Sequence, residues 1–367
     1  MMKVYLRKGH HSVYDDLVRH PPAGVEYVLP KFVSSSSNKA VDSLKKRAFG
    51  AYMHAFNKQH AIYVNSGGAP LIHACSGIMI KNKKPWVIDV EHAASFVGFE
   101  AGRLEKVAPA VERLLSSEWC RKVMPWSNAA KVSIEKGLNA SRFSDKIEVV
   151  YPAIEPSRQK KEKHDGINLL FISVRFFTKG GRELLEAYEL LKKKYDLRLT
   201  VISNVPDEVK KSHPDVEFHE PNVPRKEVVE KFFPSADIFV LPSYMDTFGM
   251  VFLEAMASGV PVVSTNVFAI PEILGNAGRC VDVSKFSWYG KDGLFAWDSW
   301  SKFERCCERE SKPDIVKSIA KEVSAIADST TLRKKMGSCG INEVESGRFS
   351  TGRRNSQLKR IYEEALK

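Results

Sequence analysis

Residues 241–265 read LPSYMDTFGMVFLEAMASGVPVVST, and this stretch decides the fold. A short apolar run ends at Leu241 and reads as a buried strand. A polar turn follows, and Gly249 stands where a helix begins. FLEAMAS carries that helix to Gly259, a helix stop, and Pro261 opens another buried strand. Strand, turn, helix and strand make one unit of a parallel sheet with covered faces. The helix N-terminus offers unpaired backbone N–H groups and the positive end of a dipole, which suits a nucleoside diphosphate. A glycine there lets the backbone approach a ligand closely. Asp246 precedes the helix and Glu254 lies about one turn inside it. A carboxylate accepts two hydrogen bonds side by side, the pattern of a ribose diol. Read alone, Asp246 is as well explained as a loop acid favoured by the dipole, and Glu254 as a solvated helix residue.

Outward from this stretch, the same grammar runs along the chain. KVYL (3–6), VEYVL (25–29), AIYVN (61–65), PWVIDV (85–90) and IEVVY (147–151) read as strands of a first half. Helical patterns lie between them at AVDSLKKRAFGAYMHAF (40–56) and RLEKVAPAVERLLSS (103–117). AIEPSRQKKEKHDG (153–166) is charged, holds a proline and lacks apolar periodicity, so it reads as a linker. Strands then resume at INLLFIS (167–173), RLTVISN (198–204), VEFHE (216–220), ADIFVLP (236–242), VPVVST (260–265) and GRCVDV (278–283). ELLEAYELLKKKY (183–195) and RKEVVEKFF (225–233) read as helices among them. The expectation is α/β: two doubly wound Rossmann-like domains facing a central cleft. Residues 1–152 form the first, 153–166 the linker, 167–348 the second, and 349–367 a helix crossing back to the first. Ligands bind outside the C-terminal ends of such strands. The loop NSGGAP (65–70), read as following a strand, is a candidate for that side. Residues 284–313, with Trp288, Trp297 and Trp300 and no clean period, read as an insertion.

Composition narrows the class. The chain has 367 residues, ordinary apolar content and no run of 18 apolar residues. The first residues lack the apolar core and cleavage site of a signal peptide. Six cysteines form no CxxC pair and sit near no histidine at metal-ligand spacing, which predicts reduced thiols in a cytoplasmic protein. No GxGxxG string is present, so nicotinamide chemistry is not indicated. Net charge is +12, about three quarters of it before Tyr151. With no RNA-binding signature, nucleic acid is not the expected partner. General solubility and an anionic acceptor or membrane surface explain the charge equally well.

The motif order resembles that of the retaining glycosyltransferases of family 4, which have the GT-B fold. Their signature sets two acids with seven residues between them, the second opening E-A-M-A-x-G-x-P-V-V. This chain reads D-TFGMVFL-E-AMASGVPVV. FISVRFFTKGGRELLEAYELL (171–191), ADIFVLPS (236–243) and IPEIL (270–274) are similar to further blocks of that family. RKVMPWSNAAKVSI (121–134) and IEVVYPAIEP (147–156) resemble the end of its acceptor domain.

The resemblance implies transfer of a hexose-type sugar, with retention, from a nucleotide-diphosphate sugar to an acceptor hydroxyl on a glycan or lipid-linked intermediate. Arg175 and Lys179 would bind the donor diphosphate, Asp246 the transferred sugar, and Glu254 the ribose. Backbone groups of Phe248, Gly249 and Met250 would hold sugar and phosphate, with the base near Val223. His92, after the fourth strand of the first half, would sit near the reacting centre. His92, Asp246, Arg175 and Lys179 are therefore the expected catalytic set. No metal and no cofactor beyond the donor are implied. The basic first half adds peripheral contact with the inner face of an anionic membrane. The chain departs from the pattern in four places. Asp246 replaces the usual Glu, Ser173 a frequent Gly, and Phe268 and Ala269 two frequent glycines. The Gly-rich loop after the first strand is missing. These departures motivate an alternative, an inactive nucleotide-sugar-binding scaffold of the same fold.

Overall fold

A computed structural model describes residues 1–9, 11–30, 60–100, 102–157, 159–309 and 311–367. The helix expected over 40–56 lies outside these. The chain divides into two compact units. One comprises Met1–Pro152, Lys291–Leu294 and Arg354–Lys367; the other comprises Ala153–Gly290 and Phe295–Arg353.

The first unit holds β1 (Met2–Leu6), β2 (Val25–Val28), β3 (Ala61–Ile62), β4 (Leu71–Ala74), β5 (Met79–Ile80), β6 (Trp86–Val90) and β7 (Cys120–Pro125). Its main sheet is parallel, in the order β2-β1-β4-β6-β7. The order reverses between β1 and β4. β4 and β6 are buried at every position, because parallel strands are covered on both faces. AIYVN contributes only β3, two residues paired with β5 in a separate small sheet. Its Tyr63 is 75% exposed, so the run has no second face to cover. IEVVY does not form a strand and makes one isolated bridge, Ile147 to Val123. The central β4, LIHA, is four residues long and interrupted by a histidine, so no unbroken apolar run marks it. NSGGAP leads directly into β4 and so lies at the N-terminal end of that strand, opposite the ligand side of the sheet.

The second unit holds β8 (Ile167–Ile172), β9 (Leu197–Ile202), β10 (Glu217–His219), β11 (Ile238–Val240), β12 (Val262–Thr265) and β13 (Gly278–Val281). All pair in parallel, in the order β10-β9-β8-β11-β12-β13. This is the dinucleotide-binding strand order, with its reversal between β8 and β11. Helix Gly181–Leu191 follows β8 and helix Met250–Ala257 follows β11. The segment 225–235 is helical with a π-turn over Val228–Phe232. Within the expected insertion, Trp300–Arg309 is a helix, and Pro313–Ala327 and Thr330–Glu345 follow it. Among the described residues no helix is long and apolar enough to cross a membrane.

Candidate functional site

Where the second sheet reverses, the loops after β8 and β11 lie side by side. Tyr244 donates its backbone N–H to the Thr178 carbonyl at 3.1 Å. Gly180 takes φ +75, and a Cβ on it would lie 2.2 Å from the Pro242 carbonyl, so only glycine allows this approach. Buried hydroxyls brace the β11 loop from behind. Ser264 donates to the Leu241 carbonyl and Thr265 to the Ser243 carbonyl, each at 2.6 Å.

This bracing joins two of the expected residues. Lys179, closing the short turn Phe177–Lys179, donates its Nζ to Asp246 Oδ2 at 2.7 Å and also to the Met245 carbonyl. The side chains are 14% and 13% exposed, so the pair sits at a half-open surface rather than in the core. Gly249 caps the helix Met250–Ala257 with φ +78, and a Cβ on it would lie 2.5 Å from the Phe252 ring and 3.3 Å from Asp246 Cγ. The helix N-terminus, Asp246 and Lys179 thus converge. Phe248 and Met250 bury their side chains, and Phe248 packs on Phe349, so what they offer a ligand is backbone.

Glu254, one turn into the helix, is 12% exposed and pairs with Arg225, Nε to Oε1 at 2.8 Å. Burial pushes its carboxyl above the usual range, and Arg225 pulls it back. Val223 lies in the loop after β10, and Arg225, two residues on, opens the helical segment that follows. Val223 is half-buried there. Sequence reasoning missed Arg225; its one signal was a cation two positions from the expected base-binding residue.

Arg175 is exposed, three residues beyond β8, with its guanidinium carbon 4.7 Å from the Trp300 ring centroid. Its backbone N–H bonds to Ser173 Oγ at 3.2 Å, a contact a glycine at 173 would lack. Phe268, where two glycines are frequent in the resembled family, adopts φ +47 and stacks on Tyr289 at 4.7 Å. The backbone keeps a glycine-like conformation that a bulky residue adopts only with strain.

His92 sits in the first unit, two residues beyond β6, and is 1% exposed. Its Nδ1 accepts from the Ala94 N–H at 2.9 Å, which leaves Nε2 to donate to the Gly293 carbonyl at 2.7 Å. Burial lowers its pKa to about 4, so the ring is neutral at pH 7. A metal-type cluster among the described residues, His73, Cys75 and Asp89, is also buried in the first unit. There His73 Nε2 lies 3.1 Å from Asp89 and Nδ1 lies 2.7 Å from the Tyr362 hydroxyl, while burial keeps the Cys75 thiol protonated. A cation would have to displace these bonds.

The family Glycosyl transferases group 1 matches residues 166–287, which span both loops of the site. The capsular polysaccharide biosynthesis glycosyltransferase CapM of Staphylococcus aureus is 24% identical, over 85% of this chain and 79% of that protein. Three further curated relatives are covered over 64%, 40% and 13% of their own length, so the chain spans less than two thirds of each. Among solved structures, sucrose-phosphate synthase of Thermosynechococcus elongatus superposes with TM-score 0.65 at 14% identity, over 99% of both chains. Alr3699/HepE of Anabaena, determined with UDP and glucose, superposes with TM-score 0.57 at 13% identity, over 99% of both chains. The two parallel α/β units therefore have the fold of GT-B glycosyltransferases, and residues 166–287 match the family Glycosyl transferases group 1.

Proposed function

We propose that the protein transfers a hexose-type sugar, with retention, from a nucleotide-diphosphate sugar to a hydroxyl of a glycan or lipid-linked acceptor. The observation that carries this reading is the Lys179–Asp246 pair held at the N-terminus of helix Met250–Ala257. A departing nucleoside diphosphate gains negative charge as the glycosidic bond breaks. Lys179, Arg175 and the helix dipole supply fixed positive charge there, and such charge acts most strongly on the transition state. The acceptor hydroxyl attacks from the same face, and its proton passes to the leaving phosphate. In this reading Asp246 orients both Lys179 and the sugar hydroxyls, and Glu254 accepts the ribose diol. The side-chain cations take the place of a metal. The UDP and glucose found with the Anabaena structure, and the capsular role named for the Staphylococcus protein, support the donor and acceptor classes.

Scanning fluorimetry against UDP-, GDP- and ADP-sugars tests the donor, since a ligand bound at 100 times its Kd stabilises by about 2.7 kcal/mol. Sugar transfer by the wild type, lost in Lys179→Ala and Glu254→Ala, separates an enzyme from an inactive scaffold. No melting shift with any donor counts against the whole reading. The net charge of +12 extends the proposal to peripheral contact with an anionic membrane at its cytoplasmic face. Failure to pellet with anionic liposomes at low salt removes that part.

A further inference from the structure

Parts of the aromatic insertion, Phe286, Trp288 and the helix Trp300–Arg309, pack beside the loops that carry the candidate site. Trp288 donates its backbone N–H to the Tyr244 carbonyl at 2.9 Å, two residues before Asp246. Phe286 meets the Tyr244 ring edge-on at 6.4 Å. Below them, the fully buried Lys312 lies 3.3 Å from Glu183 and 5.1 Å from the Tyr244 ring centroid. Arg182 donates to the Glu308 carbonyl. Trp300 stands on this platform, with its ring centroid 5.3 Å from that of Trp288 and 5.4 Å from that of Phe303, and it presents a ring to Arg175.

We infer that Trp300 is a positioning residue for the donor diphosphate: it holds the Arg175 guanidinium by its face and leaves the hydrogen-bonding edge to the phosphates. The inference rests on the donor reading above. An exposed arginine on a loop samples many rotamers, and ordering it on binding costs affinity. Stacking uses the plane of the guanidinium, while its five N–H donors radiate from the edge. An indole below the plane therefore orders the group without consuming the donors a diphosphate needs. A lysine at position 175 would carry the charge without the plane. Trp288 and Trp300, two of the three tryptophans that gave the insertion its irregular look in the sequence, thereby acquire a role at the site.

The test is calorimetric binding of UDP, GDP and ADP, and of the matching monophosphates, to the wild type and to Trp300→Phe, Trp300→Leu, Arg175→Lys, Arg175→Ala and Arg175→Ala/Trp300→Leu. For the diphosphate the wild type prefers, Trp300→Leu weakens binding about 3- to 10-fold, with a smaller effect on the monophosphate. Trp300→Phe retains most of the affinity, and Arg175→Lys loses as much as Trp300→Leu. In the Arg175→Ala background, Trp300→Leu has no further effect. An unchanged Kd in Trp300→Leu, equal losses for mono- and diphosphate, or the same loss with and without Arg175 overturns the inference while leaving the donor reading intact. Arg175→Lys, a change at an exposed side chain, overturns it independently if it binds like the wild type. A wild type that binds no nucleoside diphosphate overturns both.

Discussion

At the reversal point of the second sheet, between β8 and β11, cations and carboxylates meet at a half-open surface: Lys179 on Asp246, and nearby Arg225 on Glu254. At the reversal point of the first sheet, between β1 and β4, the polar groups are sealed inside. Asp89 accepts from the Tyr14 hydroxyl at 2.6 Å and the Ser76 N–H at 2.9 Å, with His73 Nε2 at 3.1 Å. His73 reaches on to the Tyr362 hydroxyl, and Tyr362 to Tyr27 at 2.9 Å. A small cavity beside this network is lined by Tyr14, His73, Asp89 and Arg354. Both places are crevices where ligands commonly bind in doubly wound folds. Topology therefore nominates two sites, and the disposition of polar groups separates them. Where the groups satisfy one another in the interior they hold the unit together; where they face outward on glycine-shaped loops they can receive a charged ligand.

The comparison breaks first at Asp89. Asp89→Ala removes the buried acceptor that Tyr14, His73 and the Ser76 N–H share, so unfolding stability should fall by about 3–5 kcal/mol. Urea denaturation reads this, and nucleotide affinity of the folded fraction should not change. A loss under 1 kcal/mol would mean the network is not structural. Lys179→Ala is the mirror experiment. Sugar-transfer rate should fall about 10²–10³-fold, the size seen when one charge-stabilising donor is removed. Its stability cost should be about 1 kcal/mol, because the pair is partly solvated. A large stability loss with unchanged turnover would exchange the roles of the two reversal points.

His92 tests the first unit on a smaller scale. Its pKa is about 4 in the fold and about 6.5 in an unfolded chain, so the unfolded state takes up a proton first as pH falls. The stabilisation is complete above pH 6.5 and is lost as pH falls towards 4, by about 2–3 kcal/mol. His92→Asn, compared with the wild type by denaturation at pH 7.5 and pH 4.5, should lose less over that interval. Equal losses would show that the ring is not held neutral by burial. At pH 7 the buried, doubly bonded ring is not available as an acid or base in this conformation.

Much of the second unit was legible in the sequence because its strands are buried on both faces and read as unbroken apolar runs, as in INLLFIS and ADIFVLP. The first unit was less legible for the same physical reason. LIHA hides a central strand behind His73, whose partners are Asp89 and the far-distant Tyr362. Asp246 and Glu254 were legible as candidates because a strand end and a helix start fix where that loop lies, whereas Lys179 came from the family resemblance alone. Arg225 and Trp300 were not legible, because an ion pair and a stacked ring depend on which loops approach in three dimensions. Phe268 was visible as a departure, but its positive φ belongs to the backbone alone.

Arg225 sharpens the comparison most finely, because it decides whether the Glu254 carboxylate belongs with the open site or the sealed one. Burial raises the Glu254 carboxyl, and Arg225 is the charged group set against it. A carboxyl raised in the fold contributes stability that is present below its unfolded pKa and lost as pH rises through the folded value. Removing the cation raises the folded value further. Arg225→Met should therefore lose stability relative to the wild type as pH climbs from 5 to 8. Nucleotide affinity moves the opposite way, since a protonated Glu254 cannot accept both ribose hydroxyls. Over the same range Arg225→Met should bind a nucleoside diphosphate more weakly at low pH, by about tenfold per unit of displaced pKa, and recover as pH rises. Arg225→Lys should follow the wild type. Parallel pH profiles for Arg225→Met and the wild type would mean that Glu254 is ionised without help, or that the ribose is held elsewhere; Glu254→Gln then decides, because a ribose held elsewhere leaves its affinity intact.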